Sequence, residues 1–380
     1  MTERQARCGR PAWRAEAGLT RGSRVERIRA FRREDIPPVL ELFRTAFLKK
    51  VQSAPTELET YFDRVFFESP WYDEELPSFV HLDRSGRIIG FVGVQPRPLL
   101  LRGRRIRAAV ATKLMTAPSG GEPLAAVRLL SRAFAGPQDL LLSDLSNDYG
   151  RRIWEGLGGT TGLLYSLQWQ RPVRPARHSL SWLHARGVPA LVIGGLRPLV
   201  SVADALVARI AAGRFRDAFP EYTTEDLPLS LLVARFPELS SDRALRPEYD
   251  ERSLEWLLRI AQKNEPHRVL RQRLVRDGHG EPVGWFLYFL EPGGESEVVQ
   301  LVAGKGAGDA VFHQLLADAW SCGAVMLTGR LEPNMVREMS VRHSYFRQLG
   351  HWMVAHSAQP DILESIRSGS AFLSRLEGER

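Results

Sequence analysis

Cysteine is nearly absent. The 380 residues hold two, Cys8 and Cys322, which cannot build a disulfide framework, and no C-x-x-C pair suggests zinc. The nine histidines do not cluster at ligand spacing, so no metal is expected, and a reducing cytoplasm fits best. An unbroken apolar run is also missing. The nearest approach, "VPALVIGGLRPLVSVADALVARIAAG" (Val188 to Gly213), is interrupted by Arg197, Asp204 and Arg209. A membrane-spanning helix rarely carries three charges at such spacing. From Leu199 onward, Val202, Leu206 and Ile210 form a helical stripe, which reads as a packed or surface-lying helix. Peripheral membrane contact is the lesser alternative. The first 24 residues have no apolar core, so they are not a secretory signal. A dense basic face is lacking too. The net charge is +8, but residues 1–24 supply half of it, with six arginines and two glutamates. The rest is spread thinly, which argues against a nucleic-acid partner despite a pI near 9.8.

What is present is enough apolar sequence, 44%, to bury sizeable cores in a chain long enough for two domains. The chain also repeats itself. "REDIPPVLELFRTAF" in the first half answers "TEDLPLSLLVARF" in the second. "SGRIIGFVGV" answers "HGEPVGWFLYF", with Gly90 against Gly284, and "IWEGLGG" answers "YFRQLGH", with Gly158 against Gly350. The three matches occur in order at nearly one offset. The expected division is a disordered basic tail (1–24), a first domain (25–171), a helical linker (172–216) and a second domain (217–380).

Each half reads as a strand, then an acidic helix start at Glu34-Asp35 or Glu225-Asp226. A hairpin follows (Phe79–Leu82 with Ile88–Val94; Val269–Val275 with Val283–Leu290). A further strand (Ala108–Met115; Glu297–Ala303) leads through a glycine-rich turn into a helix. The half closes with a strand, a helix ending in Leu-Gly and a last strand. The class is therefore α/β, a mixed sheet flanked by helices in each half.

The second-half turn is "VAGKGAGDAVFHQLL". It is not a Walker loop, because Gly306 rather than Ser or Thr follows Lys305. Its glycines would still let backbone approach an anion at a helix N-terminus. A plain strand-to-helix turn is the alternative.

This order of elements resembles the GNAT superfamily of acyl-CoA-dependent N-acyltransferases, present twice, over roughly residues 25–170 and 217–357. The family carries an Arg/Gln-x-x-Gly-x-Gly/Ala turn that holds the pyrophosphate of coenzyme A. The stretch Lys305-Gly306-Ala307-Gly308-Asp309-Ala310 resembles it, with lysine in the first place. The first half departs: "TAPSGGEPLAAV" keeps Gly120 and Gly121, but Glu122 has the wrong charge and Pro123 lacks an N–H. By the resemblance, the second half is the better coenzyme binder, with Leu301 and Ala303 at the strand that offers N–H groups to the acyl carbonyl. Asn147 matches a family asparagine, but Trp154 stands where a tyrosine often acts as general acid. In the second half that register gives Phe346, with Tyr345 beside it.

The resemblance implies transfer of an acetyl or other acyl group from acyl-CoA, a co-substrate, to a small-molecule or protein amine. Glu297 is the candidate base and Tyr345 the candidate acid, with His343 weaker. Asp144 and Asn147 end a strand where α/β ligand sites collect, although Asn147 suits a helix cap equally. The competing possibility is a catalytically degenerate protein that binds acyl-CoA or acts as a regulatory or interaction module.

Overall fold

The computed structural model describes residues 28–47, 55–117, 124–175, 177, 219 and 221–379. The expected basic tail, most of the expected linker with its apolar stripe, and Gly120 to Pro123 lie outside these residues.

The architecture is mixed α/β, as the periodicities imply: two sheets, each flanked by helices. The first half supplies β1 (Ile28–Ala30), α1 (Ile36–Phe47), α2 (Pro55–Phe66), β2 (Phe79–Leu82) and β3 (Ile88–Leu101). It continues with β4 (Arg104–Thr116), α3 (Ala125–Phe134), β5 (Leu140–Ser146), α4 (Asp148–Gly156), β6 (Thr160–Thr161), the one-turn α5 (Leu163–Ser166) and β7 (Leu167–Pro172). The second half supplies β8 (Thr223–Asp226), β9 (Leu245–Pro247), β10 (Val269–Arg276), β11 (Pro282–Leu290), β12 (Glu295–Ala303), β13 (Met326–Arg330), β14 (Tyr345–Gln348) and β15 (Trp352–His356). Helices Leu229–Leu239, Glu251–Asn264, Gly308–Ser321, Val336–Val341 and Pro360–Arg367 pack around them.

Two local expectations are corrected. Glu225 and Asp226 do not open a helix; they lie in β8, where Arg276 and Arg273 on the neighbouring strand pair with them. The helix begins later, behind the extended Pro228. The run before Gly350 is likewise a strand and not a helix. His343, at φ +60°, ends the short Val336–Val341 helix, and Tyr345–Gln348 then pairs with β7.

The first sheet runs β1-β2-β3-β4-β5-β15-β6, with β9 also pairing with β3. The second runs β8-β10-β11-β12-β13-β7-β14. The two orders correspond strand for strand, with one exchange. β7, from the first half, lies between β13 and β14 of the second sheet. β15, from the second half, lies between β5 and β6 of the first. A division at residue 171 therefore does not follow the sheets, because each has a strand from the other half.

The repeated glycine on the hairpin has a packing reason. A Cβ on Gly90 would stand 2.9 Å from Leu129 Cδ1, and one on Gly284 would stand 2.4 Å from the Val302 carbonyl and 2.7 Å from Val311 Cγ2. In both halves the helix after the fourth strand is pressed against this point. The face of α3 turned to the sheet is Ala125, Ala126, Leu129, Leu130 and Ala133, the spacing of one helical stripe. In the second half Val311, Phe312, Leu315 and Leu316 do the same.

Candidate active site

The fourth strand of each half is where the sheet opens. β4 runs parallel to β5 only at Ala108–Val110 against Leu140–Leu142. Beyond Val110 the two strands separate. There β4 carries a bulge: Lys113 and Leu114 stand opposite the single residue Val92, and Lys113 has φ +52°, a rare conformation for a side chain larger than glycine. Among the described residues no strand lies beside the edge of β4 that faced β5 from this point. Peptide N–H and C=O groups on such an edge can bind an extended, amide-bearing ligand as they would bind a strand.

A cleft of about 570 Å³ fills the gap, lined among others by Thr112, Lys113, Ser143, Asn147, Tyr149 and Glu379. Asn147 is the N-cap of α4, accepting from the Gly150 N–H at 2.8 Å. The cap anticipated from sequence is thus present at the cleft wall. Trp154 is buried behind it, whereas Tyr149 is exposed at the mouth.

The floor of the cleft is closed by a segment far away in sequence. After the Pro360–Arg367 helix the chain crosses between the two sheets. The Phe372 N–H donates to the Leu245 carbonyl at 2.7 Å, and Arg330 donates to the Leu373 and Ser374 carbonyls at 3.1 Å. Ser374 then caps a turn at Arg375–Glu377. This delivers Glu379 to the splay: its N–H donates to Asp144 at 2.8 Å, and its carboxylate accepts from the Ser143 hydroxyl in a short hydrogen bond. Asp144 is buried and ion-paired with the equally buried Arg330, with Arg375 at 3.8 Å.

Two adjacent carboxylates in one low-dielectric site titrate apart. Burial opposes the charge of Asp144, but Arg330 and Arg375 hold its carboxyl below the usual range. Burial and the charge of Asp144 push Glu379 up, against the pull of Ser143 and Lys113. Burial also opposes the charge of Lys113, yet Tyr61, with Glu379 and Asp144, holds its ammonium above the ordinary value. The site thus has a fixed anion, a more basic carboxylate and a fixed cation.

The second half has the same frame with different contents. β12 runs parallel to β13 at Glu295–Val298 and bulges at Val299. Leu301 is buried, and it packs in one core with Ala307, Leu331, Met335 and Met339. Lys305 and Gly306 form an exposed turn, with Gly306 at φ +82°. Gly308 and Asp309 start the following helix, with Ala310 buried beneath. Over Gly308 lies Glu338, its Cγ 3.4 Å from where a Cβ would be. Asp309 is held by both arms of Arg342, at 2.6 and 2.9 Å. A carboxylate therefore stands over the turn that would have to receive a phosphate.

Glu297 and Tyr345 are not brought together. Glu297 is in register with Thr328, Thr328 with Gln170, and Gln170 with Tyr345. They occupy one row, three strand spacings or about 14 Å apart, too far to serve one reacting carbon. Glu297 is 3.4 Å from Arg375, and Tyr345 is exposed on the edge strand. Ala303 ends β12 opposite Gly284. Among the described residues no group of three or more His, Cys, Asp or Glu side chains is arranged to hold a metal ion, and no helix is long and apolar enough to cross a membrane.

Lys113, Tyr149, Ser143 and Glu379 are the cleft residues that sequence reasoning passed over. Lys113 left a signal, a single charge at the end of the apolar strand "AAVATKLM". Glu379 left none, since only the tertiary path of the chain puts it there.

No protein-family model matches the sequence, and no curated protein matches it. Solved structures do. A GCN5-related N-acetyltransferase from Anabaena variabilis superposes with a TM-score of 0.57 at 11% identity, over 86% of this chain and 71% of that one. One from Kribbella flavida gives 0.53 at 16%, over 86% and 71%. N-myristoyltransferase from Saccharomyces cerevisiae, solved with bound myristoyl-CoA and inhibitors, gives 0.50 at 9%, over 89% and 81%. At such identities the likeness is one of fold: this chain has the GNAT fold.

Proposed function

We propose that the protein is an N-acyltransferase moving an acetyl or other acyl group from acyl-CoA to an amine, and that the acyl-CoA lies in the cleft of the first sheet. The observation that carries this is the divergence of β4 from β5 at a bulge, which leaves a strand edge and a cavity side by side. The amide-bearing arm of the thioester would lie along that edge, and a β4 N–H at the bulge would meet the carbonyl oxygen as it gains charge. The Glu379 carboxylate, made more basic by burial and by the charge of Asp144, would take the proton of the attacking amine. The Tyr149 phenol at the mouth is the candidate donor to the leaving thiolate. The Lys305–Gly308 turn, which the resemblance favours as the coenzyme site, would then be a strand-to-helix connection, because Glu338 over Gly308 repels a phosphate. The second half contributes β15, Arg330 and the Glu379 segment instead.

Calorimetric titration with acetyl-CoA tests the reading. No heat and no shift in melting temperature at millimolar ligand overturns it. If binding is found, Glu379→Gln should keep acetyl-CoA affinity and lower thiol release about 10²-fold or more, the usual scale for a lost general base.

A further inference from the structure

The cleft has a neighbour. A second cavity, of about 840 Å³, lies on the α1–α2 side of β4, and Phe43 and Lys113 line both. The bulge that puts Lys113 in the left-handed region thus puts one ammonium group between the two spaces, 5.2 Å above the Tyr61 ring. The second cavity has a lopsided charge. Lys113, Arg64 and Lys263 line it against one carboxylate, Glu57. Among the described residues neither Arg64 nor Lys263 is in an ion pair. The remaining wall is largely apolar, with Phe43, Leu58 and Ile260.

We propose that this cavity takes the acceptor, and that the acceptor is an amine that also carries a carboxylate on an apolar body, as an aromatic or branched amino acid does. The inference rests on the acyltransfer reading. A surplus of positive charge repels a simple ammonium and repels a polyamine or a polycationic amino sugar more strongly. An anionic group on the same molecule reverses the sign, since charge-assisted hydrogen bonds from lysine and arginine are the strong class. The positive field also favours loss of the ammonium proton, which frees the lone pair for attack on the thioester carbon. The nitrogen–carbon bond forms and the carbon–sulfur bond breaks, the amine proton passes to the carboxylate of Glu379, and the Tyr149 phenol gives its proton to the departing thiolate, so that coenzyme A leaves as the thiol.

The test uses conjugates that join coenzyme A through an S-acetyl bridge to the amine nitrogen, so that it reads binding whether or not turnover is fast. Three are compared by calorimetry on the full chain: phenylalanine, phenethylamine (the same body without the carboxylate) and spermidine. The phenylalanine conjugate should bind at least tenfold tighter than the phenethylamine conjugate, with the spermidine conjugate weakest. Arg64→Met with Lys263→Met should reduce the tenfold preference to about two, with the Kd of coenzyme A unchanged. Equal binding of the first two conjugates, or a preference that survives the double substitution, overturns the inference while leaving acyltransfer standing. Failure of acetyl-CoA and all three conjugates to bind removes both.

Discussion

Asp144 and Arg330 join the two halves at the floor of the cleft, and replacing one of them has a calculable effect. Both are almost fully buried. Asp144→Leu leaves the Arg330 guanidinium without its anion, holding only the Leu373 and Ser374 carbonyls at 3.1 Å. Breaking a buried pair in this way costs about 3–5 kcal/mol. The two surviving acceptors put the expected loss near the lower figure, a fall in melting temperature of roughly 4 °C for a cooperative unit of this length. The double variant Asp144→Leu with Arg330→Met removes both charges from the interior and should recover at least half of the loss, because apolar replacement of a buried pair is often neutral. Thermal and urea melts of wild type, both singles and the double complete the cycle. A single Asp144→Leu variant melting within about 1 °C of wild type would refute the reasoning. So would a double variant no better than the single, since Asp144 would then matter through the Glu379 N–H rather than through Arg330.

Other outcomes follow from the same geometry. Lys305→Ala should leave acetyl-CoA affinity within about twofold; a tenfold loss, the scale of a charge-assisted hydrogen bond, would move the coenzyme to the second half. Glu332 is buried, and burial pushes its carboxyl up to about 8, against Arg243. A raised acid contributes most below its unfolded value and loses that contribution as pH rises to the folded one. Glu332→Gln should therefore gain stability relative to wild type between about pH 5 and 8, measured by urea melts at each pH, and an unchanged difference would count against it. Gly284→Ala should destabilise by roughly 1–3 kcal/mol, as overpacking does, because the Val302 carbonyl cannot move aside as a side-chain tip could; a melt equal to wild type would show that the contact relaxes freely.

Much of the frame was legible in the sequence. Gly90 and Gly284 repeat because a helix presses on the strand at both places, and a missing side chain is visible in any sequence. The Asn147 cap was legible because capping is local. The exchange of β7 and β15 was not. Alternation along "LQWQ" and the apolar run "WMVA" identify strands, but nothing in them names the neighbour. The distance between Glu297 and Tyr345 failed for the same reason: separation across a sheet depends on strand order, which spacing along the chain does not encode. Glu379 is the extreme case, meeting Ser143 across 236 positions.

The exchanged strands also set an order on the protein's birth. A ribosome releases the first half long before residues 352–356 exist. Until then β5 has no partner on its outer side and β6 has nothing to pair with, so the first sheet emerges with a gap between its fifth strand and its edge. β7, meanwhile, waits for a second sheet that has not been made. Unpaired edges on nascent chains are where wrong partners attach. A truncated chain that stops before Trp352 would thus be expected to carry that open slot permanently, and a peptide with the β15 sequence is the ligand shaped to fill it.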